Sequence, residues 1–362
     1  MDFRNILKNF QINQKVLSVN KFGAGHINET YLVLCEGEKY ILQSLNTNVF
    51  TNYVGVMDNI AKVTSFIKDK YLKEGKNLSS QMYLIKTIDD KNYLMVDDKC
   101  YRMFNYIDNS VVYQQTSDLN ILEQAGFGLG SFISELNDFD ANSLVEVIPN
   151  FHNTKKRFLD FKESIKEDRA YRVSSVQKEI QFVLDREAYA SQIVDRINKK
   201  IIPIRVTHND TKLNNFMFDK DTNKFLCLVD LDTIMPGSLL YDFGDAIRIA
   251  GSTAGEEERN LEKVRFDIKA YEAFLKGFLM GIKDNIKKEE AELLHISAKI
   301  MTFEIGMRFL KDYIDGDVYF KVNEEDLNLV RARTQLKMVE EIERNEKEME
   351  KILYKYYNNI IE

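Results

Sequence analysis

The stretch His208-Asn209-Asp210-Thr211-Lys212-Leu213-Asn214-Asn215 puts a carboxylate, an ammonium and an amide on one short loop, between apolar Val206 and Phe216. Farther on, the apolar run Phe225-Leu226-Cys227-Leu228-Val229 ends in two carboxylates, Asp230 and Asp232. The order H-x-D-x-K-x-x-N followed by an aspartate suits phosphoryl transfer, which asks for positioning and charge neutralisation more than for covalent chemistry. In that chemistry Asp210 takes or orients the proton of an attacking hydroxyl, and Lys212 offsets the charge of the moving phosphoryl group. Asn215 and Asp230 supply the oxygen donors that a hard cation such as Mg²⁺ takes alongside phosphate and water. His208 reads as an orienter of the loop backbone, because the carboxylate is better placed to be the base. Asp232 is open between a second metal ligand and a cap on the following turn, and Asp242 and Asp245 read as helix caps or loop braces. The alternative for the whole stretch is a polar turn between two strands.

Those loops need elements to hold them. Up to about residue 106 the chain alternates or is β-branched over Lys15–Asn20, Thr30–Cys35, Tyr40–Leu45, Met82–Ile88, Tyr93–Val96 and Cys100–Tyr106, which reads as strands. One amphipathic helix interrupts them, where Val56, Ile60, Val63 and Ile67 recur at helical steps within 54–70. Beyond Asp108 the period becomes helical: 119–136, 180–197, a stripe from Leu261 to Phe278, 288–313 and 325–357. Two short β-like pieces, Ile204–Thr207 and Phe225–Leu231, bracket the reactive loop. The segment Tyr106–Ser110 is the expected hinge between a sheet-rich and a helix-rich part. "VEEIERNEKEMEKIL" from Val339 is expected to be a solvated, charge-laced face.

Composition narrows the class. The 362 residues, 44% hydrophobic with 30% charged and a net charge of −7, describe a globular chain whose acidic surface would repel nucleic acid. No apolar run approaches the roughly 18 residues of a membrane span, and the N-terminus has no secretory pattern. Cys35, Cys100 and Cys227 are isolated from one another, which suits buried thiols in a reducing compartment, hence a cytoplasmic protein, and argues against a metal site built on them.

The same residues carry a family resemblance. Phe22-Gly23-Ala24-Gly25-His26-Ile27-Asn28-Glu29-Thr30-Tyr31, Tyr101-Arg102-Met103-Phe104, His208-Asn209-Asp210-Thr211-Lys212, the run from Val229 to Gly237, and Tyr241-Asp242-Phe243-Gly244-Asp245 resemble the aminoglycoside phosphotransferase and choline kinase group of small-molecule kinases, and among them the N-acetylhexosamine 1-kinases. The resemblance runs in islands to about Phe320. It implies an α+β, bilobal protein-kinase-like fold. Residues 1–107 would be a small antiparallel-sheet N-lobe that binds nucleotide, and residues 108–362 a large, mostly helical C-lobe for catalysis and substrate. It implies ATP- and Mg²⁺-dependent transfer to the anomeric hydroxyl of GlcNAc or GalNAc, with ATP and the sugar as partners.

On this resemblance Gly23, Gly25 and Gln43 would bind the nucleotide, and His26, Asp210, Arg308 and Tyr319 the sugar. Two departures stand out. Asn28 replaces the third glycine of a G-x-G-x-x-G loop, and Gln43 stands where most kinases have a phosphate-holding lysine, a change the sugar-kinase subgroup shares. No obvious glutamate on the 54–70 helix waits for that lysine. Arg308 could instead be a surface charge, Tyr319 a core aromatic, and the role of Arg102 is open. Two other functions remain: a kinase of another small alcohol of the choline, homoserine or aminoglycoside type, and a catalytically silent nucleotide-binding regulator.

Overall fold

A computed structural model describes residues 3–23 and 28–361. The chain begins with α1 (Phe3–Leu7), β1 (Val16–Lys21), β2 (Glu29–Cys35), β3 (Lys39–Leu45), α2 (Tyr53–Lys73), β4 (Leu84–Ile85), β5 (Leu94–Val96), β6 (Lys99–Asn105) and β7 (Ser110–Val111). Helices then dominate: α3 (Leu119–Glu135), α4 (Thr154–Glu167), α5 (Gln177–Leu184) and α6 (Gln192–Asn198). Short strands β8 (Arg205–Thr207), β9 (Phe216–Asp219), β10 (Phe225–Leu228) and β11 (Met235–Gly237) follow. The chain closes with α7 (Leu239–Ala250), α8 (Ile268–Ile282), α9 (Lys288–Ala291), α10 (Leu294–Asp315) and α11 (Leu327–Ile361). This is a mixed α+β architecture, with an antiparallel sheet first and helices after. No helix among the described residues is long and apolar enough to cross a membrane.

The chain forms two compact units. The first comprises Met1–Val111, Asp138–Pro149 and Met217–Pro236. Its main sheet runs β1-β2-β3-β6-β4 with β5 also on β6, and every pairing is antiparallel. Strand alternation sends Val33, Cys35, Tyr40, Leu42, Tyr101 and Met103 to one face, where Ile6, Leu7 and Phe10 cover them. On the other face Gln43 lies directly opposite Arg102 in the β3–β6 register. Helix α2 starts at Asn52, whose side chain accepts the Gly55 N–H at 3.1 Å, and buries Val56, Ile60, Val63 and Ile67 as its period requires. A second sheet pairs β10 with β9 and β9 with β7.

The second unit comprises Val112–Asn137, Asn150–Phe216 and Gly237–Glu362. Its helices bury Phe158, Phe161, Phe303, Met307, Leu310, Leu336 and Val339 in one cluster. Several expected spans differ. The 180–197 run is two helices parted by a 3₁₀ turn at Glu187–Ser191. The 261–278 stripe becomes α-helical only at Ile268, because Asp267 caps it by accepting the Lys269 and Ala270 N–H groups at 2.9 and 3.2 Å. The strand from Phe225 stops at Leu228. Helix α11 is charged on one side only: Val339, Ile342, Met349 and Leu353 are buried, so the expected solvated face is half a core face.

Candidate active site

Strand β8 delivers the chain into the His208–Asn215 loop of the second unit. Asp242, in the first turns of α7, holds that loop: its two carboxylate oxygens accept the His208 N–H at 2.8 Å and the Asn209 N–H at 2.7 Å. Its backbone carbonyl accepts the Thr211 hydroxyl at 2.7 Å. Asn209 sits in the left-handed region, φ 64°, and its amide donates to the Thr207 hydroxyl at 2.9 Å and carbonyl at 3.2 Å. His208 is fully buried, and its Nδ1 accepts the Asp210 N–H at 3.3 Å, the orienting bond expected of it. The cap of α7 is Ser238, so Asp242 is a loop brace and not an N-cap.

This scaffold aims Asp210. Its carboxylate meets the Lys212 ammonium at 3.2 Å and the Asn215 amide at 3.1 Å, and the same amide reaches the Asp210 carbonyl at 2.8 Å. The Asn215 amide nitrogen is thereby committed to Asp210. Lys212, half exposed, is held above its ordinary pKa by Asp210 first, against the opposing effect of desolvation, with Asp245 and Glu256 adding to the rise. Burial pushes Asp242 up to about 6, although nearby His208 and the backbone N–H groups of His208 and Asn209 pull it down. Burial alone would also raise Asp245, but Arg248 and Lys212 outweigh it and hold that carboxyl below its usual range. Arg248 donates to Asp245 at 2.9 Å and also pairs with Glu256.

In the first unit, Asp230 follows β10 in the left-handed conformation, φ 60° and ψ 56°, and opens the 3₁₀ turn Leu231–Thr233. It is exposed, whereas Asp232 two residues on is buried. Asp232 is more than a cap: one carboxylate oxygen takes the Arg102 guanidinium, and the other accepts the Asn28 amide at 2.7 Å. Arg102 also donates through Nε to the Gln43 carbonyl oxygen at 2.9 Å, and Gln43 donates onward to the Thr30 hydroxyl at 3.1 Å. Gln43 is thus tied within the sheet. Gly23 has a positive φ of 74° with open space where a Cβ would stand. Gly25 and His26 lie outside the described residues.

The remaining residues singled out by resemblance lie in the second unit. Arg308 is buried and not a surface charge; its guanidinium carbon lies 5.2, 5.8 and 5.6 Å from the ring centres of Phe151, Tyr319 and Phe320. Tyr319, 63% exposed, is not a core aromatic. Sequence reading missed what supports Arg308. Fully buried Glu304, one turn earlier on α10, lies 3.9 Å from it and binds His152 Nδ1 at 2.8 Å and the Thr154 hydroxyl at 2.5 Å. Burial would raise the Glu304 pKa, yet His152 and Arg308 bring it below the ordinary value. The His152 ring lies 5.2 Å from that of Tyr241, the neighbour of Asp242, so Arg308 connects through packed groups to the brace of the Asp210 loop. The i, i+4 spacing of Glu304 and Arg308 was the available signal.

Comparison with known proteins bears on the family and the fold. A model of the "Phosphotransferase enzyme family" matches residues 18–276, well over half of the chain. Among solved structures, the chain is similar to an aminoglycoside phosphotransferase from Alicyclobacillus acidocaldarius, at 10% identity and a TM-score of 0.59, with 95% of this chain and 96% of that one covered. It is similar to choline kinase from Cryptosporidium parvum, at 13% identity and a TM-score of 0.57, with 94% of each chain covered. The Plasmodium vivax ethanolamine kinase aligns at 12% identity and a TM-score of 0.53, over 90% of this chain and 84% of that one. Identities this low establish a shared protein-kinase-like fold, and the family match goes further: the chain belongs to the phosphotransferase enzyme family.

Proposed function

We propose that the chain is an ATP- and Mg²⁺-dependent small-molecule kinase that phosphorylates the anomeric hydroxyl of an N-acetylhexosamine, GlcNAc or GalNAc. The observation that carries the reading is the Asp210 carboxylate, held by a braced loop with Lys212 at 3.2 Å and Asn215 at 3.1 Å. The acceptor hydroxyl oxygen forms the new bond to the γ-phosphorus as the bond to the bridging β,γ-oxygen breaks, ADP leaves, and Asp210 receives the hydroxyl proton. Lys212 balances charge on the moving group. The exposed Asp230 carboxylate and the Asn215 side-chain carbonyl are donors of the type Mg²⁺ accepts alongside phosphate and water. When bound, the ion neutralises phosphate charge. Gly23, Gly25 and Gln43 are assigned to the nucleotide; His26, Arg308 and Tyr319 are assigned to the sugar.

The buried Arg308 among three aromatic rings favours a neutral acceptor, because a quaternary ammonium would meet a cation there. The test is ADP release with ATP and Mg²⁺ over a panel of GlcNAc, GalNAc, choline, ethanolamine and kanamycin, with phosphorus NMR of the product to locate the ester. Turnover of choline or kanamycin and none of either sugar rejects the sugar assignment. Asp210→Asn is expected to lower turnover roughly 10³-fold; undiminished turnover would remove Asp210 from the mechanism.

A further inference from the structure

We propose that Arg102 and Asp232 form a positioning pair that fixes the backbone turn carrying Asp230, and thereby sets how tightly Mg²⁺ is held; the inference rests on the kinase reading above. Asp230 sits in the left-handed region, which aspartate tolerates better than most residues, so the direction of its carboxylate depends on what fixes the turn that follows. The surroundings here are specific. Asp232 is gripped by Arg102 from β6 and by Asn28 from the segment before β2, and the side-chain Oδ1 of Asn28 accepts the Asn46 N–H at 3.0 Å. Beyond the turn, the Ile234 carbonyl accepts the Asn59 amide of α2 at 2.8 Å. Asp230 is therefore held from its C-terminal side by three elements of its own unit.

The chemistry of the pair argues for orientation over stability. Arg102 is 1% exposed and Asp232 3%, and ion pairs this deeply buried lose about as much in desolvation as they gain from attraction. An apolar pair of the same volume would hold the fold as well, but it would not reach Gln43 Oε1 at 2.9 Å or Met57 Sδ at 3.9 Å as the Arg102 guanidinium does. The fork of Arg102 thus ties the Asp230 turn to β3 and α2 together. The position that would hold a lysine in most kinases is neutral Gln43, and the adjacent charge is spent on the turn and not presented by β3.

The experiment measures binding of a non-hydrolysable β,γ-imido ATP analogue by calorimetry across a Mg²⁺ series, with wild type, Arg102→Met, Arg102→Lys, Asp232→Asn and Asn28→Ala. Arg102→Met and Asp232→Asn are expected to raise the half-saturating Mg²⁺ concentration by about 10- to 100-fold, the range found when an outer partner of a metal ligand is lost. Arg102→Lys should recover part of the loss, and in Asp232→Asn, where Arg102 still reaches Gln43, metal-free nucleotide affinity should stay at the wild-type value. Asn28→Ala removes two hydrogen bonds, one to the Asp232 carboxylate and one from the Asn46 N–H, but no charge, so it keeps the fold testable and should shift the Mg²⁺ dependence in the same direction. Wild-type Mg²⁺ dependence in these variants, whatever their melting temperatures, overturns the inference alone. Absence of Mg²⁺-dependent nucleotide binding by the wild type overturns the kinase reading and the inference with it.

Discussion

Asp242 sets burial against charge at a single carboxyl. It is fully buried, its pKa is pushed up to about 6, and it accepts two backbone N–H groups that shape the Asp210 loop. Because the folded value lies above the ordinary 3.8, the stability this group contributes is fully present below pH 3.8 and is lost as pH rises through about 6. Asp242→Asn has no such titration. The stability of wild type relative to Asp242→Asn should therefore grow by about 2 kcal/mol between pH 7 and pH 4.5. Turnover should move the opposite way, falling below pH 6 as the protonated carboxyl ceases to accept from both amides. Chemical unfolding of the two proteins across that range is the measurement, and a gap that does not change with pH would exclude the account. The Asp210, Lys212 and Asn215 spacing was legible because those residues share one loop and one turn of chain. The partners of Asp232 and Glu304 were not, since Arg102 lies 130 residues from the first and His152 lies 152 from the second, and no period links them.

Helices α3 and α8 show what an element needs that its hydrophobic period does not report. Gly126 and Gly130 on α3 face Gly277 and Gly281 on α8, and the two backbones touch. A Cβ on Gly277 would stand 1.9 Å from the Glu123 carbonyl oxygen, and one on Gly126 2.0 Å from that of Phe274. Backbone atoms in helices cannot give way by that much, so the pair would have to separate and open the packing around it. Gly277→Ala, which would be favourable in an exposed helix by propensity, is instead expected to cost on the order of 3 kcal/mol. Thermal unfolding decides the matter: a melting temperature equal to or above wild type would mean the crossing is looser than described. The stripes of both helices were legible from their apolar positions. The four-residue spacing of the glycines is visible in "GFGLG" and "GFLMG" too, but its meaning depends on which helix lies across it. Helix α2 was read closely, 54–70 against Tyr53–Lys73, because its cap and stripe are local.

At the scale of the molecule, the chain enters the first unit three times, through Met1–Val111, Asp138–Pro149 and Met217–Pro236. Local period and composition carry no trace of the second and third visits, which is why they escape a reading of consecutive segments. They matter energetically because buried polar groups of the first stretch find their partners there. Asn59, fully buried on α2, donates to the Val145 and Ile234 carbonyls at 2.8 Å each and accepts the Val145 N–H at 3.0 Å. Arg102 finds its counter-charge in Asp232. Residues 1–111 alone would keep both side chains and lose all of these partners. A buried charge stripped of its partner costs about 3–5 kcal/mol, and an unpaired buried amide about 1–3 kcal/mol more. Together they approach the 5–15 kcal/mol that typically separates a domain from its unfolded state. The fragment 1–111 is accordingly expected to show no cooperative melting by circular dichroism. The same fragment carrying Arg102→Met and Asn59→Leu, which replace the stranded groups with apolar ones of similar size, should regain part of a transition. A cooperative transition in the unmodified fragment would mean that the later visits contribute little, and that the polar network of the first unit is dispensable to its folding.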